Sequence, residues 1–127
     1  MSPKASRKDI NAARSLVRIR DGHRCQMCGR SIVDYPSSIH HRINKGNGGS
    51  AEYERASLLI RMCGTGTTGC HGWVTNEPRR AGLWGWLLPR NNPDIDPEQE
   101  PILTYHGWVL LTDDGARVQT PPKAVPA

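Results

Sequence analysis

The sequence predicts a small α+β domain held together by a metal ion rather than by a large core. Four cysteines fall into two pairs, Cys25-x2-Cys28 and Cys63-x6-Cys70, and four thiolates supply a closed tetrahedral zinc site. The 127 residues include no Phe and only 36% hydrophobic side chains, with 13 Gly and 10 Pro, a composition of many loops over a thin core. One apolar pattern of helical period comes first and short β-capable runs follow, without repeat or long linker, so residues 1–127 read as one domain.

Met1 to Ala5 and Pro121 to Ala127 read as frayed tails with nothing to bury. Ser6 with Asp9 makes an S-x-x-D start; Ile10, Ala13, Leu16 and Val17 recur at helical spacing until Gly22 supplies a stop, which predicts a helix over Arg7 to Asp21. Its other face carries Lys8, Arg14 and Arg18, placed along phosphates or in water. Cys25 to Gly29 is a knuckle whose glycine lets backbone amides point at sulfur. Ser38 to Arg42 reads as a strand, Asn44 to Ser50 as a glycine loop, and Leu58 to Met62 as a second strand ending at Cys63. After Cys70, His71 to Glu77 has room for about two helical turns, and Pro78 can begin a further turn through Arg80. Together these form a core over residues 22–80. The final third, residues 86–119, reads as strands at Trp86 to Pro89, Ile102 to Tyr105 and Gly107 to Thr112, with Asp113-Asp114-Gly115 turning into Ala116 to Gln119. Trp84, Trp86 and Trp108 fill the core that Phe would otherwise supply, the alternative being nucleotide stacking.

Charge divides unevenly. Residues 1–45 hold ten Lys or Arg against three acids, whereas residues 46–127 hold seven against nine, so the net +5 is concentrated in the N-terminal third. That imbalance points to a polyanion, nucleic acid first. No apolar run approaches the ~18 residues a membrane span needs, and no secretory h-region opens the chain. The expected location is the cytoplasm, where thiols stay reduced and hold metal rather than form disulfides. A redox dithiol at Cys25-x2-Cys28 would need a βαβ context that the pattern lacks.

His40 and His41 are neighbours on a short strand and so point to opposite faces, while His71 follows the last cysteine and is tethered near the strand through the common zinc. One of the paired histidines can bind a metal while the other takes a proton, the division of labour that phosphodiester hydrolysis requires.

Arg24-Cys-Gln-Met-Cys-Gly29, Ile39-His-His-Arg42 with Gly46-Asn-Gly-Gly-Ser50, and Met62-Cys-Gly-Thr-Gly-Thr-Thr-Gly-Cys-His-Gly-Trp-Val74 resemble the HNH endonucleases, in particular the small zinc-stapled kind of phage genomes. Gly85-Trp-Leu-Leu-Pro-Arg90 and Gly107 to Gly115 extend the likeness, which covers roughly Lys8 to Val118. The resemblance implies a ββα-metal (His-Me finger) core that cuts DNA, by nicking or double-strand cleavage. His41 would then be the general base, and His40 with His71 would hold a catalytic divalent ion, Mg2+ or Mn2+. Cys25, Cys28, Cys63 and Cys70 would hold structural Zn2+. Arg42, Lys45 and Arg61 flank the site and are candidates for clamping phosphates, an exposed strand-edge charge being the ordinary alternative. By the same analogy the partner is a phage packaging terminase, and a monomer is the favoured state.

The chain departs from the family at the middle letter. The Asn that ties down the loop and orients the base is replaced at that place by Leu58, with Ser57 beside it and Asn47 in the glycine loop as another candidate. Asn76 and Glu77 lie where some relatives place a further ligand, while His23 and His106 read as structural. A catalytically impaired, zinc-stabilised DNA-binding module is therefore the second reading, and a zinc-ribbon protein adaptor the third.

Overall fold

Ser6 caps the first helix, α1 (Arg7–Asp21), its hydroxyl accepting from the Asp9 amide at 3.1 Å, and Gly22 ends it at φ +61° with its amide on the Arg18 carbonyl. In this computed structural model, residues 6–43, 53–90 and 92–123 are described. The predicted N-terminal tail, the glycine loop with Lys45 and Asn47, and residues 124–127 of the C-terminal tail lie outside them.

Ala13 and Val17 turn the apolar stripe of α1 onto Ala56 and Leu59, with Leu16 and Ile39 packed alongside. Val17 is fully buried, which contributes roughly 1.5–3 kcal/mol by area. The end of α1 is then locked by charge. Arg20 reaches the Ala56 and Leu59 carbonyls, and the buried Asp21 accepts from Arg20 and from the Arg61 amide.

Strand β1 (Ser37–His41) pairs antiparallel with β2 (Leu59–Cys63), Ser37 opposite Cys63 and His41 opposite Leu59. Both lie within a residue of their predicted bounds; Ala56–Leu58 forms a 3-10 turn, so the second strand starts after Leu58 rather than at it. Helix α2 (Gly69–Asn76) packs against β2, and Pro78 opens α3 (Pro78–Leu83), longer than the single turn predicted. A second sheet follows, β3 (Ile102–Thr104), β4 (Gly107–Leu111) and β5 (Arg117–Gln119), all antiparallel and joined by short turns. The architecture is thus a small α+β fold with two small antiparallel sheets.

The main core joins the halves. Ile60 and Met62 of β2 and Val74 of α2 pack with Ile102, Val109 and Leu111 around Trp86, which is completely buried. Trp84 packs on the same cluster and stacks on Trp73 with ring centroids 5.2 Å apart, whereas Trp108 stays half-buried. Trp86 to Pro89 is not the strand its apolar run predicts. The Trp86 amide closes α3 on the Ala81 carbonyl, and the Leu88 amide goes to the Arg42 carbonyl. Backbone groups already committed in this way cannot form a ladder.

Candidate functional site

The four thiols come together as the spacing predicts. Each sulfur of Cys25, Cys28, Cys63 and Cys70 lies within 4.8 Å of the others, and those of Cys28 and Cys63 are 4.0 Å apart. Tetrahedral bonds of about 2.3 Å would place sulfurs roughly 3.8 Å apart, so this donor set fits a closed metal site. The first loop is a knuckle in which the Gly29 amide donates to the Cys25 carbonyl at 2.8 Å and Gly29 takes φ +79°. In the second, the Cys70 amide points at Cys63 Sγ at 3.4 Å. Gly64 is required there: at φ +87°, an added Cβ would overlap the Thr68 carbonyl. Burial, and then the charge of Cys25, push the Cys70 thiol up. Burial acts the same way on Cys63, but hydrogen bonds from Cys70 and the other thiols hold it below its ordinary value. Crowded thiols resist ionisation unless a cation compensates.

The imidazoles come from β1 and α2. His40 and Ser38 share one face of β1, and His71, one residue beyond Cys70, reaches that face from α2. The His40 and His71 rings meet edge to face with centroids 5.1 Å apart. Each is fixed at one nitrogen. His40 Nε2 lies 2.6 Å from the Trp86 carbonyl, which only accepts, so Nε2 carries the hydrogen and Nδ1 keeps its lone pair. The Ser38 hydroxyl donates to the Gly64 carbonyl at 2.9 Å; its oxygen therefore accepts from His71 Nδ1, 2.5 Å away, leaving the lone pair on His71 Nε2. Burial holds His40 down to about 4 against the pull of the Trp86 carbonyl. Burial also lowers His71, helped by the charge of His41. Both rings are neutral at pH 7 and present ligand-competent nitrogens.

His41 points to the opposite face, toward α1. Its Nε2 lies 3.0 Å from Glu54 Oε1, and Glu54 Oε2 is 3.6 Å from Arg14 Nε. A carboxylate only accepts, so His41 carries its hydrogen on Nε2. Nothing local in the sequence marks Glu54 as a partner of His41, thirteen residues away.

The arginines depart from expectation. Arg42, a predicted phosphate clamp, has no exposed surface. Its Nε donates to the Gly85 carbonyl, Nη1 to Ser57 and Pro97, and Nη2 to Glu100. It is a structural hub joining the end of β1 to the C-terminal third. Burial lowers its pKa and the Glu100 charge opposes that. Arg61 is half-buried, one arm on the Gly22 carbonyl and another on Ser37 Oγ. Lys45 lies outside the described residues. Leu58 is buried with Ile43 and Tyr53, and Ser57 Oγ donates to Asp113, so both residues at the place where the sequence resemblance expects an Asn are committed to packing and scaffold. Asn76 and Glu77 are exposed at the end of α2, His23 is exposed, and His106 packs against Tyr105.

No helix among the described residues is long and apolar enough to cross a membrane. No family model, curated protein or solved structure matches the chain.

Proposed function

We propose that the chain is a metal-dependent DNA endonuclease of the HNH kind, with zinc on Cys25, Cys28, Cys63 and Cys70. The observation that carries this reading is the trio of oriented imidazoles. His40 Nδ1 and His71 Nε2 are ligand-competent on rings 5.1 Å apart, and the adjoining His41, the base in this reading, is oriented through Nε2 by Glu54. The order strand, strand, helix in β1, β2 and α2 supports the reading of a ββα-metal core.

Bound by His40 and His71, a divalent ion such as magnesium or manganese would polarise the scissile phosphate and stabilise charge on the departing 3′ oxygen. His41 Nδ1 takes a proton from water as the oxygen adds to phosphorus, and the Glu54 carboxylate faces the imidazolium that forms. The P–O3′ bond breaks, the 3′ oxygen gains a proton from solvent, and a 5′ phosphate and a 3′ hydroxyl remain. Lys8 and Arg18 stay exposed on α1 and supply charge for the DNA backbone. A packaging terminase is the partner to test by co-purification.

The purified chain should nick plasmid with magnesium or manganese. His41→Ala should lower the rate ~10²–10⁴-fold while zinc stays near one per chain. Undiminished cleavage by His41→Ala removes that base. The second reading, a zinc-stabilised DNA-binding module without turnover, draws on the commitment of Leu58 and Ser57 to packing and scaffold. A gel shift without cleavage under every divalent ion selects it.

A further inference from the structure

We infer that Glu54, held by Arg14 of α1, is the positioning residue for His41 and does the work of the missing Asn. The inference rests on the reading of His41 as the base. The geometry is a three-part relay: His41 Nε2 to Glu54 Oε1 at 3.0 Å, then Glu54 Oε2 to Arg14 Nε at 3.6 Å. Its middle member is nearly enclosed, the Glu54 side chain being 7% exposed against 17% for His41 and 32% for Arg14.

Both supports of the carboxylate are anchored. Arg14 follows Ala13, which is buried on the face of α1 that packs on Ala56 and Leu59, and Arg20 pins the end of that helix to the same carbonyls. Glu54 stands just before the 3-10 turn Ala56–Leu58, where Asp113 holds Arg55 and both the amide and hydroxyl of Ser57. A carboxylate fixed from two elements gives the imidazole a single tautomer and ring direction, the role that outer-shell carboxylates play for other histidines. The charges of His40 and His71 also interact with His41. Both lie on the other face of β1, and the Glu54–Arg14 pair supplies orientation on the α1 side. Helix α1 thereby becomes part of the active site as well as a basic surface.

The test combines kinetics with a direct reading of the ring, on the full zinc-loaded chain. With manganese and plasmid, Glu54→Ala should lower kcat ~100-fold with KM within about twofold. Glu54→Gln keeps an acceptor for Nε2–H and should recover to within ~10-fold of wild type. Arg14→Met should fall between wild type and Glu54→Ala. Zinc content should stay unchanged in all three, and each variant should remain folded at the assay temperature even where its thermal midpoint falls. In 15N-labelled protein, His41 should show the Nε2–H tautomer, and Glu54→Ala should turn it into a mixture. Equal loss in the Gln and Ala variants, or an unchanged His41 tautomer in Glu54→Ala, overturns the inference. A tautomer that switches in a chain that cuts no DNA keeps the positioning claim and removes the base reading instead.

Discussion

The sulfur cluster and the imidazoles meet at α2, where Cys70 and His71 are neighbours, yet they are held in different ways. Each thiol is aimed by its own turn: Gly29 closes the first knuckle, and Gly64 with the Cys70 amide closes the second. Each imidazole is aimed from far along the chain, His40 by the Trp86 carbonyl, His71 by Ser38 and His41 by Glu54. Each half of the sulfur site is shaped by its own turn, but the halves lie 35 residues apart and meet only in the folded chain, so binding a metal there adds to folding free energy. A site aimed by distant groups exists only once the domain is complete. The first therefore suits a staple and the second suits chemistry.

The contrast is broken most severely at sulfur. Cys63→Ser, or chelation, should remove the ion and unfold the chain, because structural zinc contributes about 10–16 kcal/mol in small domains and a whole domain is stable by only about 5–15 kcal/mol. Metal analysis beside a circular-dichroism melt checks this. A metal-free chain that melts at the wild-type temperature would mean that the core needs no staple. His40→Ala, in contrast, should leave the bound zinc in place.

Arg42 comes next, because it joins the two halves. Replacing it by Met leaves the carbonyls of Gly85, Ser57 and Glu100 without their donor. A buried carbonyl left without its donor costs about 1–3 kcal/mol, readable as a lower urea midpoint. A loss under about 1 kcal/mol would show that solvent or backbone shifts replace the guanidinium. Weaker DNA binding in a variant that remains fully folded would restore the phosphate role for Arg42.

The same contrast explains what was legible in the sequence. Helix α1 was readable to the residue, since Ser6, Asp9 and Gly22 state its ends locally. The thiol cluster was readable because ligand spacing is a local property. The pairing of His41 with Glu54 was not, because it joins β1 to a segment with no periodicity of its own. Arg42 reads from sequence as a surface charge, since nothing local announces that four carbonyls will enclose it. Trp86 to Pro89 misleads for the converse reason: its apolar run is that of a strand, but the end of α3 and Arg42 take its backbone groups first.

A gentler perturbation separates the clusters without unfolding either. Ser38→Ala leaves the four thiols alone but removes the acceptor for His71 Nδ1 and the donor to the Gly64 carbonyl. Loss of such an outer-shell partner typically costs 10–100-fold in metal affinity. Manganese titration of nicking should shift by about that factor, with zinc content and melt unchanged. A shift in zinc content instead would mean that the two sites are coupled through the Gly64 turn.

The smallest effect concerns acid. Asp113 accepts from Arg55 at 2.6 and 2.9 Å and from Ser57 Oγ at 2.5 Å, bracing the segment that follows Glu54. Burial would raise its pKa, but Arg55 and Ser57 outweigh that and hold the carboxyl below its ordinary 3.8. As pH falls past 3.8 the unfolded chain takes up the proton first. The stability contributed by Asp113 is therefore complete above that pH and lost on descent through the lower folded value. The side chain is 37% exposed, so water screens the pair and the contribution is modest. Asp113→Asn should lower the urea midpoint at pH 7, and the gap from wild type should narrow below pH 4. The comparison is made at pH values where both proteins remain folded, and a gap that stays constant there would show that Asp113 acts through its shape and not through its charge.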